Sequence, residues 1–213
     1  VLTLVFSVMG LFMDSWLINE EEEEVGRISM GLTGMTIDCS ELNKSSKANC
    51  SIFGWGLLQE DMEGSEAPDD VPVSNSGSID DFCSNTEKII EAFGGTIDDE
   101  TKGELQTCYD RASAGSIGGY ILWGATIAAL AGVVLIAFNI FGIGALPVDT
   151  QKFGFVAGVA AGALAGIAVL VWYLIRPDSG DMNSGLNVWL TITGAATGIA
   201  AGVLTKLKGN PSA

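Results

Sequence analysis

Three runs of the chain, residues 117–145, 154–175 and 187–205, carry no charged side chain at all. Each is long enough to cross about 30 Å of hydrocarbon as a helix. The charge is collected elsewhere. Residues 19–115 hold 22 of the 26 acids and six of the ten bases, a net charge of −16, and the rest of the chain sums to zero. Beside that charge, 48% of all residues are hydrophobic, so the two properties are segregated into membrane helices and one acidic aqueous domain.

A fourth span is expected at residues 1–18, VLTLVFSVMGLFMDSWLI, which begin without a methionine and read as a helix cut off at its cytoplasmic end. The stretch lacks the small-residue cleavage site that would make it a signal-peptide core. Asp14 is then expected at the exit end of that helix beside Trp16, an interfacial aromatic. The organisation that follows has helices at 1–18, 117–145, 154–175 and 187–205. An acidic outer loop domain fills 19–115, a short outer loop 176–186 and a tail 206–213. Lys152, Lys206 and Lys208 mark cytoplasmic sides, while Arg176 has Asp178 and Asp181 beside it. Both termini are therefore expected in the cytoplasm of a multi-pass cell-membrane protein, with the acidic loop outside.

Four cysteines in an oxidising compartment are expected to pair, and three connectivities are possible. Cys39 with Cys50 and Cys83 with Cys108 is the local solution. Zinc is not expected, because the chain has no histidine and no Cys-x-x-Cys. Around the first pair, Ile28, Met30 and Leu32 alternate in one phase and Met35, Ile37 and Cys39 in the other. The slip at Thr33–Gly34 reads as a β-bulge. Phe53, Trp55 and Leu57 alternate again after Cys50, so a hairpin closed by the polar tip 41–49 is expected. A further strand within 176–187 would complete the sheet. The expected fold class is a membrane α-helical protein: a four-transmembrane-helix bundle with a disulfide-stapled extracellular β-sheet subdomain.

Several of these residues carry a resemblance. Trp16 past the first helix, GMTIDC at 34–39, Cys50, then Phe53, Leu57 and Leu58, and Arg111 near the start of the second helix resemble the claudin and peripheral myelin protein superfamily. One large first outer loop and a short second one are similar too. Gly34 and Cys39 match that family's Gly-Leu-Trp-x-x-Cys element, whereas Thr36 stands where the family has tryptophan and the first loop is longer. The resemblance implies a claudin-like structural, adhesive or barrier protein acting through its extracellular domain. It also admits an accessory subunit of a larger membrane complex.

The acidic stretches read as solvated rather than as cation sites. Residues 59–82 are expected to be flexible and exposed. Their acids lack the Asp-x-Asp-x-Asp-Gly spacing of a calcium loop, 96–103 places Lys102 where an oxygen ligand belongs, and the glutamates 20–24 form a bare run. No metal site follows. Residues 84–95 are expected to form a helix with Ser84 as cap, Glu87 in the capping-box position and Gly94–Gly95 as the stop. Its apolar face, Ile89, Ile90 and Phe93, would pack on the sheet. Glycines four apart in 158–166 and 194–202 are expected to let helices approach closely inside the bundle, and Asn139 to pair with a neighbouring helix. Of two sequons, Asn43 is the usable glycosylation site and Asn49 conflicts with a disulfide at Cys50.

With no histidine, cysteines in disulfides and no paired intramembrane acids, the chain has no recognisable acid–base or nucleophilic set. It is not expected to be an enzyme, and no catalytic or cofactor-binding residue is assigned. The glycine-rich stretches lie inside hydrophobic runs and not after strands, so they are not phosphate loops. The charge of −16 disfavours nucleic acid. Membrane lipid, and this chain itself or another membrane protein, are the expected partners.

Overall fold

The structure, a computed structural model, describes residues 1–19, 27–39, 74–92, 99–141, 150–177 and 182–208. The described elements run α1 (Leu2–Phe12), β1 (Leu17–Asn19), β2 (Arg27–Met30), β3 (Gly34–Asp38), β4 (Ser74–Ser78), α2 (Ile79–Ala92), α3 (Asp99–Phe141), α4 (Thr150–Ile175), β5 (Met182–Ser184) and α5 (Leu186–Lys208). They fall into two units. A helical unit comprises Val1–Met13, Ser116–Ile175 and Leu186–Ala213, and a sheet unit comprises Asp14–Gly115 and Arg176–Gly185.

In the helical unit, α3, α4 and α5 are long and apolar enough to cross a membrane. Helix α3 is 43 residues long, about 64 Å at 1.5 Å per residue, and its charged side chains all precede Ala112. It therefore starts well before the expected residue 117, inside the acidic region. Helix α1 is shorter than expected. It stops at Phe12, after 11 residues or about 16 Å, where Met13 turns extended. Residues 17 and 18, expected in the first span, are strand instead. The reason is hydrogen bonding: Trp16 N donates to Met30 O and Gly185 N donates to Trp16 O, both at 2.8 Å, which commits that backbone to the sheet. Trp16 is fully buried and not an interfacial side chain, and Asp14 accepts a hydrogen bond from the Thr36 hydroxyl at 2.8 Å.

Apart from Leu122, Trp172 and Val188, the helices bury mainly small side chains, while many large ones are exposed. Buried positions include Thr3, Ser7 and Gly10 on α1, Ala161, Ala165 and Ala168 on α4, and Thr191 and Ala195 on α5. Outward lie Val5, Val8, Ile127, Leu130, Leu170, Ile192 and Val203. Where the outside is hydrocarbon, apolar burial gives no net drive and close backbone packing takes over. The spaced glycines do this work between α4 and α5. A Cβ at Gly158 would stand 3.2 Å from the Gly202 Cα, and one at Gly162 would stand 2.5 Å from the Ala195 carbonyl oxygen. Helix α1 lies along α5 through the Thr3 and Thr197 hydroxyls, 3.3 Å apart, and Asn187 Nδ2 donates to Met13 O at 2.7 Å. Antiparallel pairing of α3 with α4 and of α4 with α5 gathers Trp123, Tyr173 and Trp189 at one end of the unit. Lys152 and Lys206 lie at the other, with Lys206 Nζ 5.2 Å from the centre of the Phe155 ring. The side chain of Asn139 lies outside the described residues.

The sheet is antiparallel, in the order β4-β3-β2-β1-β5. Strand β5 comes from within 176–187, where a completing strand was expected. The phase slip at Thr33–Gly34 is a tight turn and not a bulge: Met30 pairs with Met35, and Gly31 N donates to Gly34 O at 2.7 Å. The turn pairs Ile28 with Ile37 and Met30 with Met35, which puts all four on one face. The expected pairing of 35–39 with 53–57 is displaced, because β3 is hydrogen-bonded on both sides, by β2 and by Ser74–Ser78. Residues 53–57 lie outside the described residues. Positions 74–82, read as part of a flexible segment, are strand and helix.

Helix α2 begins five residues earlier than expected, and Ser78 replaces Ser84 as its cap. Ser78 Oγ accepts the Asp81 N–H at 3.0 Å while its own hydroxyl donates to Asp81 Oδ2 at 2.6 Å. Asp80 and Asp81 in the first turn also complement the helix dipole. The earlier start places Ile79 and Cys83 in the core with Met35, Ile37, Cys39 and Ala112. Of the apolar face expected for this helix, Ile90 is half-buried, and the side chains of Ile89 and Phe93 lie outside the described residues. Helix α3 closes the core against the turn after β2. A side chain on Gly115 would collide with the Leu32 carbonyl, so only glycine fits.

Candidate functional site

The sequence-derived site residues that the structure describes, Trp16, Gly34, Cys39, Cys83, Cys108 and Arg111, belong to the sheet unit. Cys83 Sγ is bonded to Cys108 Sγ, with Cα atoms 5.9 Å apart, which ties α2 to α3. Cys83 is fully buried, so this pair staples the core. Cys39 is disulfide-bonded and buried, and Cys50 lies outside the described residues. Asn43 and Asn49 lie outside them too, as do the glutamates 20–24.

Of the family-motif positions, Trp16 is buried beside β2 and β5 through its backbone. Gly34 opens β3 with its Cα against the Asp14 carboxylate: a Cβ there would stand 2.9 Å from Asp14 Oδ1. Thr36, where the resembled family has tryptophan, uses its hydroxyl to hold that same carboxylate. Arg111 is half-buried on α3 and already has an interaction partner.

Between the sheet, α2 and the start of α3 lies a groove of about 530 Å³. That is within the range of sites that take small molecules or anchoring side chains. Its walls are mainly Met30, Met35, Ile79, Phe82, Ile90 and Leu105. The charged residues that line it are Glu104, exposed, and Arg111. Beside it, the Tyr109 hydroxyl donates to Glu87 Oε2 at 3.1 Å and bridges α3 to α2. The Thr86 and Thr107 hydroxyls donate to the carbonyls of Phe82 and Gly103, so they spend their donors within their own helices. Sequence reasoning missed the groove. Its signal was present in the spacing Ile79, Phe82, Thr86, Ile90, a stripe along α2 that becomes visible once the helix is started at Ser78.

Among the described residues, no cluster of three cysteine, aspartate or glutamate side chains is placed to hold a metal ion. The exposed pair Lys102–Asp99, 3.7 Å apart, is a local contact of little energetic weight. The geometry thus offers a mainly apolar recess with one carboxylate, Glu104, and one guanidinium, Arg111, in its lining. No protein-family model matches the chain, and no curated protein matches it.

Proposed function

We propose that the chain is a claudin-like tetraspan membrane protein whose sheet unit stands outside the cell and serves a structural, adhesive or barrier role. One observation carries the membrane part. Among the described residues, the exposed large hydrophobic side chains, from Val1 to Leu204, all belong to the helical unit. A soluble protein does not leave so broad an apolar surface to water, whereas hydrocarbon covers it without cost. In this reading α3, α4 and α5 cross the hydrocarbon and α1, packed along α5, is the apolar segment of a fourth span. The aromatic end carrying Trp123, Tyr173 and Trp189 lies at the outer interface, and the end carrying Lys152 and Lys206 at the inner one.

The claudin-like part is supported by the residue pattern alone: Trp16, Gly34, Cys39, Cys50 and Arg111 in that order, with a large first loop and a short second one. A disulfide in the sheet unit suits an oxidising outer face. Single cysteines placed at residue 180 and at the C-terminus, in a chain whose native cysteines stay paired, test the orientation with a membrane-impermeant maleimide. Labelling of 180 but not of the C-terminus in intact cells is expected. The reverse pattern overturns the topology. Cross-linking into homo-oligomers favours the adhesive role, and a single stoichiometric co-purifying membrane protein replaces it with an accessory-subunit role.

A further inference from the structure

We infer that the groove between α2 and α3 receives an apolar anchor side chain of a basic peptide segment from a partner protein. The recess is lined mainly by apolar side chains, with two thioethers, Met30 and Met35, contributed by the sheet. Unbranched methionine side chains adapt to differently shaped anchors, a property of surfaces that take many partner sequences. The lining itself holds one acid, Glu104, and one base, Arg111, so the sign of the partner rests on the two helices that flank the recess. Helix α2 and the part of α3 before Ser116 carry eight acids against three bases. Of those bases, Lys102 faces Asp99 and Arg111 already has a partner. Glu104 stands exposed in the wall itself, and Asp80, Asp81, Asp99 and Asp110 are exposed along the same two helices.

The net acid excess of these two helices disfavours an anionic partner, and a neutral chain gains nothing from the field. A lysine- or arginine-rich segment is drawn in and then held by its anchor. The recess lies between two helices and the sheet, and an amphipathic segment can set its anchor side chain into a groove of this kind. Binding of this kind does not depend on which side of a membrane the sheet unit faces, so its failure leaves the membrane reading untouched.

The test is fluorescence anisotropy with the full chain in detergent micelles. The probe is a labelled lysine-rich peptide carrying leucine and phenylalanine four residues apart. Companion peptides carry alanine in place of both anchors, or glutamate in place of the lysines. The anchored basic peptide is expected to bind about tenfold or more tightly than its anchorless counterpart, and to weaken as salt is raised. The anchored acidic peptide is expected not to bind. Gly103→Phe fills the mouth of the groove from a position where a Cβ would meet no atom within 4 Å, so the helix tolerates it. That variant should erase the preference for the anchor. Glu104→Lys, at an exposed site, should weaken the basic peptide several-fold. Peptide mapping of the Cys83–Cys108 bond certifies that each variant is folded. Equal binding of anchored and anchorless peptides overturns the inference, as does equal binding of the acidic peptide or an unchanged anchor preference in Gly103→Phe. Displacement of the peptide by a long-chain fatty acid at its own stoichiometry would assign the groove to lipid instead.

Discussion

Gly198 of α5 packs against Gly162 of α4 so closely that a Cβ on Gly198 would lie 2.9 Å from the Gly162 Cα. Real Cβ atoms do not come that near to backbone, so the two helices hold their separation only while both positions are glycine. Gly158 and Gly202 repeat the contact one turn away, which makes the seam a row of backbone approaches and not a side-chain interface.

Replacing Gly162 or Gly198 by valine should therefore force α4 and α5 apart. The expected loss is about 1–3 kcal/mol or more, the cost of overpacking a close-packed contact. Gly103→Ala is the control: it is helical, its Cβ meets nothing within 4 Å, and it should gain up to about 1 kcal/mol in helix propensity. Reversible unfolding in mixed micelles, followed by circular dichroism, compares the three. A Gly162→Val protein as stable as the parent would show that the seam is not closed.

Breaking the Cys83–Cys108 link by changing both residues to serine should destabilise the sheet unit by about 3 kcal/mol on the chain-entropy estimate for a loop of this length. Cys83 is buried in the core, so a hydroxyl placed there adds a desolvation penalty. Limited proteolysis should then cut within 74–115, while carbonate extraction still leaves the chain in the membrane. Retention of full protease resistance would contradict the placement of this pair in the core.

Ser78→Ala should cost about 1 kcal/mol, the usual value of an N-cap hydroxyl. Hydrogen exchange gives the clearest readout, because the Asp81 amide loses its acceptor and should exchange faster while amides late in α2 change little. Ser84→Ala, at the position the sequence pattern favours as the cap, should leave the same amides unaffected.

Thr36→Val removes the hydroxyl that donates to Asp14 Oδ2 and leaves a half-buried carboxylate short of one donor. A loss of about 1–2 kcal/mol is expected. Asp14→Asn in the Thr36→Val background should add little further loss if the two act as one unit, and a double-mutant cycle measures that coupling. Fully additive losses would mean that the contact carries no energy.

The sequence by itself determined the division of this protein into apolar helices and one acidic, disulfide-bearing unit. Hydrocarbon selects on a property summed over some twenty consecutive residues, and such a sum can be read without knowing what touches what. The glycine spacing was legible for the same kind of reason, since positions four apart always share a helix face. Tertiary structure decided what depends on distant partners. The backbone of residues 16–19 pairs with β2 and with β5, nearly 170 positions later, and so stops the first helix at Phe12. Strand β3 takes Ser74–Ser78 as its second neighbour, a pairing across 35 or more intervening residues that no alternation pattern announces. Once β4 ends at Ser78, the next residues can begin a helix there, and Ser78 caps it ahead of the equally suitable Ser84. The groove arises from that choice: α2 starts at Ile79, and Ile79, Phe82 and Ile90 then line the same recess as Leu105.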